Sequence, residues 1–501
     1  MNIRFASLAA VLTLNAVAQQ TNLGHIDFPT SGSKEAQQHF TQGVLLLHSF
    51  EYPDSREEFQ AARKLDPGFA MAYWGEALTY THPVWVEQDV PSARAALQKL
   101  AATPEARSAK APTRREKDYL EAVEILYGEG DKVSRDIAYA NAMGRMMKKY
   151  PDDLEAAALY AVALLGTCQF ERQHETYMRA AAVAEEVYAK NPQHPGAIHY
   201  LIHAYDDPVH APLGLRAARV YGDVAGSASH AQHMPAHIFF ALGMWDDAVA
   251  ANQRSIAVAD ERVNRKGLGA EQRNYHSLLW LVYAYLQEGR YTEARVVIAD
   301  VERGGFTRGL PMMKTVYALE TGKADESLTV ASLAKVPAML QSVAALNGFG
   351  LVAARNGRMD DARSALDAIA KRLSEPSEPP IDRKAAEIMM RQLQAKLWLA
   401  DGKQEQALQL LAQTAAEEDA LTFEFGPPVP IKPAHELYAE ELLAAHRPKE
   451  AREEFQRALA RAPKRVQSLR GLAKAAAESG DPETARIAGE DLKSFWHGNT
   501  N

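Results

Sequence analysis

The sequence predicts an all-α protein in which paired helices form one extended array. Short motifs recur at an interval of 34 residues, as Ala485 follows Ala451, and such a period is typical of stacked helical repeats. No segment shows a convincing alternation of apolar and polar residues, the pattern of a β-strand. The chain has 501 residues, 47% of them hydrophobic, which exceeds what one compact core holds, and an array accommodates that length.

The first residues are predicted to be an export signal. Residues 1–18 contain a single charge, Arg4, then an apolar run at 5–14 and the small-residue sequence Ala-Val-Ala at 16–18. This order is typical of a secretory signal peptide. The alternative is a buried N-terminal helix. We therefore expect a mature protein that begins near Gln19 and is periplasmic or secreted.

The composition excludes several kinds of protein. The 56 basic and 64 acidic residues give a net charge of −8, whereas nucleic-acid-binding proteins usually have a basic face. After the predicted signal, no run reaches the ~18 unbroken apolar residues of a membrane span. Cys168 is the single cysteine, so neither an intrachain disulfide nor a cysteine-ligated zinc cluster can form. We expect no nucleic acid partner and no membrane span.

Small, aromatic and proline residues at fixed spacings mark the second helix of a repeat near each end of the chain. Near the C-terminus they are Ala451, Phe455, Ala458 and Pro463, and near the N-terminus they are Ser55, Phe59, Ala62 and Pro67. Both segments resemble the tetratricopeptide repeat family. The resemblance implies an α-solenoid, a right-handed superhelix of helix–turn–helix repeats with a concave groove that binds peptides or proteins.

A second recurring signal divides the chain into regions. Glycine followed five residues later by alanine marks helix turns at Gly243/Ala248, Gly289/Ala294, Gly357/Ala362, Gly402/Ala407 and Gly480/Ala485. The predicted regions are N-terminal repeats (36–85), a helical insertion (86–150), histidine-rich repeats (151–265), central repeats (266–422), a proline-rich loop (423–433) and C-terminal repeats (434–496). Helices are expected in the insertion at 92–102, 114–126 and 134–150. The proline-rich loop is either a linker or a cover over the groove.

Two pairs of histidines recur at the repeat period. His199 and His203 are four residues apart, so on a helix they share one face. His233 and His237 have the same spacing and lie 34 residues later. Because neighbouring repeats stack side by side, this registration predicts that four imidazoles face one another across two adjacent helices.

Further histidines occupy related repeat positions. His230 and His276 both precede a turn alanine by the same number of residues, and His48 and His82 are again 34 residues apart. The family resemblance implies that these positions also line the concave groove. Since His48 and His82 lie well before the main cluster, their role stays open.

The histidines are interpreted as a transition-metal site. Imidazole suits copper, zinc and iron, and the predicted ligands are His199, His203, His233, His237, His230 and His276. Asp206 and Asp207 follow the first pair and could add an oxygen ligand or orient a ring. In the alternative interpretation the histidines bond one another or bind an acidic peptide. Glu436 and Glu440 also share a helix face, where they either bind a cation or a basic peptide or, more simply, form a solvated acidic face.

Two functions of different classes remain open. The first is an exported module that binds a peptide, protein or small-molecule ligand in the groove and contains a metal site. The second is a metalloenzyme, an oxidoreductase or hydrolase, in which His230 or Asp207 transfers protons. The sequence His-x-x-His-Met-Pro-x-His-Ile-Phe at 230–239 also resembles a group of exported bacterial repeat proteins, but that resemblance implies no mechanism.

Overall fold

The structure is a computed structural model that describes residues 22–169, 171–307, 309–375, 380–423 and 425–498. Helices joined by short turns account for most of these residues, so the all-α prediction is confirmed. The predicted export signal at 1–18 lies outside the described residues. A search of the described helices finds none that is both long and apolar enough to cross a membrane.

In the first half of the chain, the described residues form fourteen helices and one short strand pair. The helices are α1 (Lys34–His48), α2 (Tyr52–Leu65), α3 (Ala70–Leu78), α4 (Val90–Gln98), α5 (Pro104–Lys110), α6 (Arg114–Leu126), α7 (Lys132–Lys149), α8 (Leu154–Gly166), α9 (His174–Lys190), α10 (Pro195–Ala204), α11 (Ala211–Val224), α12 (Ser229–His233), α13 (Pro235–Leu242) and α14 (Trp245–Lys266). Strands β1 (Thr81–His82) and β2 (Glu87–Gln88) pair antiparallel around a 3-10 turn at Pro83–Trp85.

The second half continues as helical hairpins. A 3-10 turn at Ala270–Gln272 leads into α15 (Tyr275–Gln287), α16 (Tyr291–Arg303), α17 (Leu310–Thr321), α18 (Val330–Leu333), α19 (Met339–Arg355), α20 (Met359–Ser374), α21 (Pro380–Ala400), α22 (Gln404–Asp419), α23 (Ala434–Ala444), α24 (Pro448–Arg461), α25 (Val466–Glu478) and α26 (Pro482–Lys493). Neighbouring hairpins such as α19–α20, α23–α24 and α25–α26 pack closely and bury apolar residues, as in a solenoid.

Local sequence signals explain where several helices begin and end. In α6, Thr113 and Glu116 form a reciprocal capping box that satisfies amides at the helix start. Gly243 ends α13 with a φ of 65°, in the left-handed region that favours glycine. A β-carbon at Gly243 would also lie 2.6 Å from the carbonyl oxygen of Pro463. This turn therefore needs glycine both for its φ and for close contact with the C-terminal repeats.

The helical insertion differs from its prediction in two details. Helix α6 begins and ends as expected, but α5 was not foreseen, because its seven residues form barely two turns. The prediction of no strand is also corrected by β1 and β2, which are too short for an alternating pattern to be visible. His82 lies in β1 rather than at the end of a helix.

The array closes on itself, so its inner face is covered. Arg465, at the start of α25, donates hydrogen bonds to Tyr283 Oη of α15 at 2.7 Å and to Glu320 Oε1 of α17 at 2.6 Å. At the other end, Arg262 of α14 donates to Asp54 Oδ2 of α2 at 2.9 Å. Helix α1 also packs against α10. Terminal and central repeats therefore meet around the histidine-rich helices.

The proline-rich loop completes this cover. Its described residues contain no helix, as the four prolines predict. The ring of Phe425 lies 5.4 Å from the ring of His237, and Gly426 sits so close to Trp280 that a β-carbon would lie 2.3 Å from it. The loop lies against these rings, and the side chains of both histidine pairs lie in the interior, with 0–4% of each exposed.

Candidate metal centre

Four neighbouring helices position the six predicted histidines. His199 and His203 lie on α10, His230 and His233 on α12, His237 on α13 and His276 on α15. The second predicted pair, His233 and His237, therefore spans a break between two short helices. Pro235 causes it, because proline has no amide hydrogen to continue the helical hydrogen bonds. Met234 keeps helical backbone angles, so both rings still face the interior.

The structure divides these histidines into two adjoining trios. We name His199, His203 and His230 the first trio, and His233, His237 and His276 the second trio. Within each trio, the ring nitrogens that could bind a metal lie within 4.8 Å of one another. The trios meet where the ring centres of His203 and His237 are 5.6 Å apart. The sequence predicted one group of four, whereas the fold forms two groups of three.

Five ring nitrogens in the trios are buried and have no hydrogen-bond partner. They are the Nε2 atoms of His199, His203, His230, His233 and His237. A buried polar atom left unpaired costs about 1–3 kcal/mol, so native structures rarely contain several at one place. Their convergence on two small volumes indicates that something other than the chain completes their bonding.

Hydrogen bonds on the opposite side of the rings fix which nitrogen is free. His199 Nδ1 lies 2.6 Å from the carbonyl oxygen of His48, and His237 Nδ1 lies 2.5 Å from Asp206 Oδ2. His233 Nδ1 lies 2.7 Å from Asn252 Oδ1, whose orientation is set because Asn252 Nδ2 donates to Ala248 O. Each acceptor requires a proton on Nδ1. The neutral ring therefore leaves the lone pair of Nε2 directed into the trio.

The protonation state also favours metal binding. Burial lowers the pKa of His199, His203, His230 and His233 well below the usual value, and neighbouring imidazoles lower it further. These four rings are therefore neutral at physiological pH. A neutral imidazole is the form that binds a transition metal, so no proton has to be displaced.

Aromatic rings pack against both trios. Phe50 lies 4.3 Å from His199 between ring centres, and Trp280 lies 4.5 Å from His237. Phe50 has a φ of 55°, an unusual left-handed conformation that places its ring against the first trio. His276 is the exposed member of the six, so solvent can approach the second trio from its side. Sequence reasoning missed Phe50, Trp280 and Asn252, since no motif distinguishes them from ordinary core residues.

His48 lies beside the first trio in a group of its own. Its Nε2 is 2.6 Å from Glu155 Oε2, its Nδ1 is 2.8 Å from Tyr200 Oη, and His194 Nε2 is 3.0 Å from Glu155 Oε1. Burial alone would raise the pKa of Glu155, but His194 and His48 hold it below its usual range. A histidine ring therefore lies against each oxygen of this carboxylate. His82 stacks on Tyr52, with ring centres 4.0 Å apart, outside both trios.

The two aspartates that follow α10 have different partners. Asp206 contacts His237, as one of the two predicted roles requires. Asp207 instead accepts hydrogen bonds from the backbone amides of Val209 and His210 and pairs with Arg172 at 3.0 Å. The two candidates for proton transfer thus have different surroundings. His230 belongs to the first trio, whereas Asp207 is bonded to the backbone amides of the loop and to Arg172.

The interpretation as a solvated face is wrong for Glu436, whereas Glu440 is partly exposed. Glu436 is fully buried, where Lys432 Nζ lies 2.7 Å from its Oε1 and Arg465 Nε lies 2.8 Å from its Oε2. Lys432 also contacts Glu440 Oε1 at 2.6 Å. The cations at these carboxylates are supplied by the chain itself, since Lys432 lies four residues before Glu436 and Arg465 lies at the start of α25, which packs against α23.

Comparisons with known proteins extend this description. Residues 316–377 and 439–498 match the family model described as tetratricopeptide repeat. Similar solved structures include the human IFIT1 dimer with m7Gppp-AAAA, at 12% identity and a TM-score of 0.39, with 94% of this chain and 91% of that chain covered. Another is the yeast Tom70 structure, at 10% identity and a TM-score of 0.29, with 92% of each chain covered. At these values the two likenesses say nothing about function.

No curated protein sequence matches the chain. The family match includes the C-terminal segment in which the spacing of Ala451, Phe455, Ala458 and Pro463 predicted a repeat. A solenoid of this class suggests protein or ligand binding. The predicted resemblance is thus confirmed over residues 316–377 and 439–498, which match the tetratricopeptide repeat model, and the described residues form a mostly helical solenoid.

Proposed function

We propose that this protein is an exported solenoid that binds transition-metal ions at the two histidine trios. The observation that supports it most strongly is the set of five buried Nε2 atoms without partners. For His199, His233 and His237 the Nδ1 partners leave the lone pair of Nε2 directed into the trio without a proton, which is unfavourable for buried atoms that have no partner. A cation at the centre of each trio supplies that partner and satisfies every ring at once.

Burial favours a metal over the alternative of an acidic peptide. The rings of the first trio and of His233 and His237 lie under Phe50, Trp280 and the proline-rich loop. A peptide would have to displace these covers, whereas an ion needs only the space between the rings. Peptide, protein or small-molecule binding, which the repeat fold suggests, would then use other surfaces of the solenoid.

The division into trios favours two ions per chain. Tetrahedral coordination at about 2.0–2.1 Å places ligand atoms roughly 3.3–3.5 Å apart. Nitrogens within 4.8 Å of one another reach that separation through small rotations of the rings. Since structural and catalytic sites commonly use three or four protein ligands, six histidines supply two sites rather than one.

Neither trio includes a carboxylate, which narrows the choice of metal. Non-haem iron is typically held by two histidines and one carboxylate, and magnesium, calcium and manganese prefer oxygen. Asp206 contacts the far side of His237 rather than the trio interior. The neutral all-nitrogen ligands therefore favour copper or zinc over iron.

A metalloenzyme is the second candidate function, and the exposure of His276 is the observation that favours it. Three protein ligands with an open position are typical of catalytic metal sites. Because the side chain of His276 is exposed, a small reactant could approach the second trio from solvent. In that case His230 is a ligand, so it would not serve as the general base.

Metal content tests the proposal. Purified mature protein, dialysed exhaustively after metal loading, should retain about two ions, one for each trio. The His203→Ala/His237→Ala variant removes one ligand from each trio and should lose both ions. A His25→Ala/His39→Ala variant is the matched control, since His25 is exposed and His39 pairs with Glu58 away from the trios. Equal metal content in all three proteins would refute the site.

A further inference from the structure

We propose that the two ions are copper in its univalent state. This inference rests on the proposed function, because it requires both trios to bind metal. It specifies the charge of the ions and therefore the metal, because the ligand set alone does not distinguish copper from zinc. The argument comes from the charges and the burial around the trios.

Few negative charges are available to balance the ions. All six ligands are imidazoles, which are neutral when they bind a metal. Among the described residues, Asp206 is the acidic side chain that is hydrogen-bonded to one of these rings. Glu51 accepts a hydrogen bond from the backbone amide of His230, at 2.9 Å. Arg172 lies nearby but is paired with Asp207. Asp206 and Glu51 are thus the two carboxylates bonded directly to residues of the trios, whereas Glu155, beside the first trio, is held by His48 and His194.

The cost of burying an ion rises with the square of its charge, and a low-dielectric interior makes that cost large. Two divalent ions would bring four positive charges to a site with two directly bonded carboxylates. Two univalent ions would bring two, which Asp206 and Glu51 can balance. Copper is the common biological transition metal that combines affinity for imidazole with a stable univalent state.

Coordination number supports the same choice. Zinc sites are almost always four-coordinate, and three protein ligands then need a water or a substrate in the fourth position. The first trio lies behind Phe50, whose ring centre is within 6 Å of all three of its histidines, so water has little access. Univalent copper accepts three nitrogen ligands without a fourth, and the first trio offers that number.

Competition titrations test the charge of the ions. Under anaerobic conditions with ascorbate, univalent copper is titrated against a chromophoric copper(I) chelator, and Zn²⁺ is titrated in parallel against a zinc-binding dye. We expect two copper(I) ions per chain to be retained at chelator concentrations that remove all zinc. Retention of two Zn²⁺ ions with loss of copper(I) would overturn this inference and leave the metal centre intact. Failure to bind any ion would refute both proposals.

A pair of variants at His276 tests the electrostatic argument directly. His276 is exposed, so substitutions there should leave the fold intact, which circular dichroism verifies. His276→Asp adds a negative charge and an oxygen ligand, whereas His276→Asn adds neither charge nor an imidazole. We expect His276→Asp to shift the ratio of Zn²⁺ to copper(I) affinity towards zinc by at least about tenfold relative to His276→Asn. An unchanged ratio would show that charge does not decide which ion binds.

Discussion

The histidine trios and the C-terminal charge network both bury ionisable side chains inside the closed array, but they differ in how those side chains are satisfied. In the network, Glu436 accepts hydrogen bonds from Lys432 and Arg465, and Arg465 also reaches Glu320 and Tyr283. In the trios, five ring nitrogens have no partner. Burial of ionisable groups is therefore not itself a sign of a ligand site. The distinguishing feature is a set of converging lone pairs that the chain leaves unmatched.

The comparison predicts the largest loss of stability in the C-terminal network. Arg465→Ala would leave Glu436 and Glu320 buried without their main cation, and removing one partner of a buried pair typically costs about 3–5 kcal/mol. Urea denaturation should show this loss with or without added metal. Arg486→Ala is the control, since its ion pairs are exposed and its removal should change little. Comparable stability of the two variants would contradict the assigned role of the network.

Metal binding should raise the stability of the folded protein through the trios, and the C-terminal charge network should not contribute to this gain. At a free metal concentration of 100 times Kd, ligand binding stabilises a native protein by about 2.7 kcal/mol. We expect wild type to gain stability of this order on metal addition, measured by thermal unfolding, whereas His203→Ala/His237→Ala should gain none. Without metal the variant should be as helical as wild type, because nearest-neighbour packing holds the repeats together. A metal-dependent gain in the variant would place the site elsewhere.

The two aspartates beside α10 sharpen the comparison further. Asp206→Asn replaces the carboxylate that accepts the hydrogen bond of His237 Nδ1 with a weaker acceptor, so it should reduce metal affinity by roughly 10–100-fold. Asp207→Asn disturbs a loop and an ion pair with Arg172, so it should alter stability and leave affinity nearly unchanged. The sequence had not distinguished these neighbours. Isothermal titration of both variants measures the difference, and an equal effect would remove Asp206 from the site.

The smallest expected effect concerns pH. The pKa of His203 is lowered in the folded protein, so between that value and about 6.5 the unfolded chain binds a proton that the folded one does not. Stability without metal should therefore fall as the pH drops below about 6.5, by at most ~1.4 kcal/mol per pH unit for each such histidine. His203→Ala should flatten this slope in acid denaturation series. An unchanged slope would mean that His203 is protonated in the folded state.

The same shifts revise the expected pH dependence of metal binding. The ordinary histidine pKa of about 6.5 would make affinity fall as the pH drops through that value. Because desolvation lowers the pKa of five of the six rings, that of His276 to about 3, affinity for the folded protein should persist to more acidic pH. Metal titrations at several pH values below 6.5 distinguish these outcomes.

Sequence periodicity predicted the helices and the six histidines because both follow from local spacing. The pairs His199/His203 and His233/His237 recur at the repeat period, and neighbouring repeats pack side by side. The division into trios could not be predicted, since it depends on the break before Pro235 and on His276 arriving from α15. Contacts across the closed array, such as Phe50 against the first trio, depend on how distant repeats meet.

The burial of Glu436 shows the same limit. Its position on α23 was visible in the sequence, but its main partner, Arg465, reaches it only through the packing of α25. The match between a carboxylate and a cation is a property of the folded array. Spacing therefore predicts which residues share a face, and the tertiary structure decides whether that face meets solvent, a partner side chain or a ligand.

A crystal structure of the metal-loaded protein tests the central claim most directly. Diffraction data collected on both sides of the absorption edge of the loaded metal locate each ion independently of the protein atoms. We predict two anomalous peaks, one within about 2.0–2.1 Å of the Nε2 atoms of the first trio and one at the same distance from the second trio. Peaks elsewhere, or histidine Nε2 atoms bonded to protein groups with no ion between them, would contradict the account.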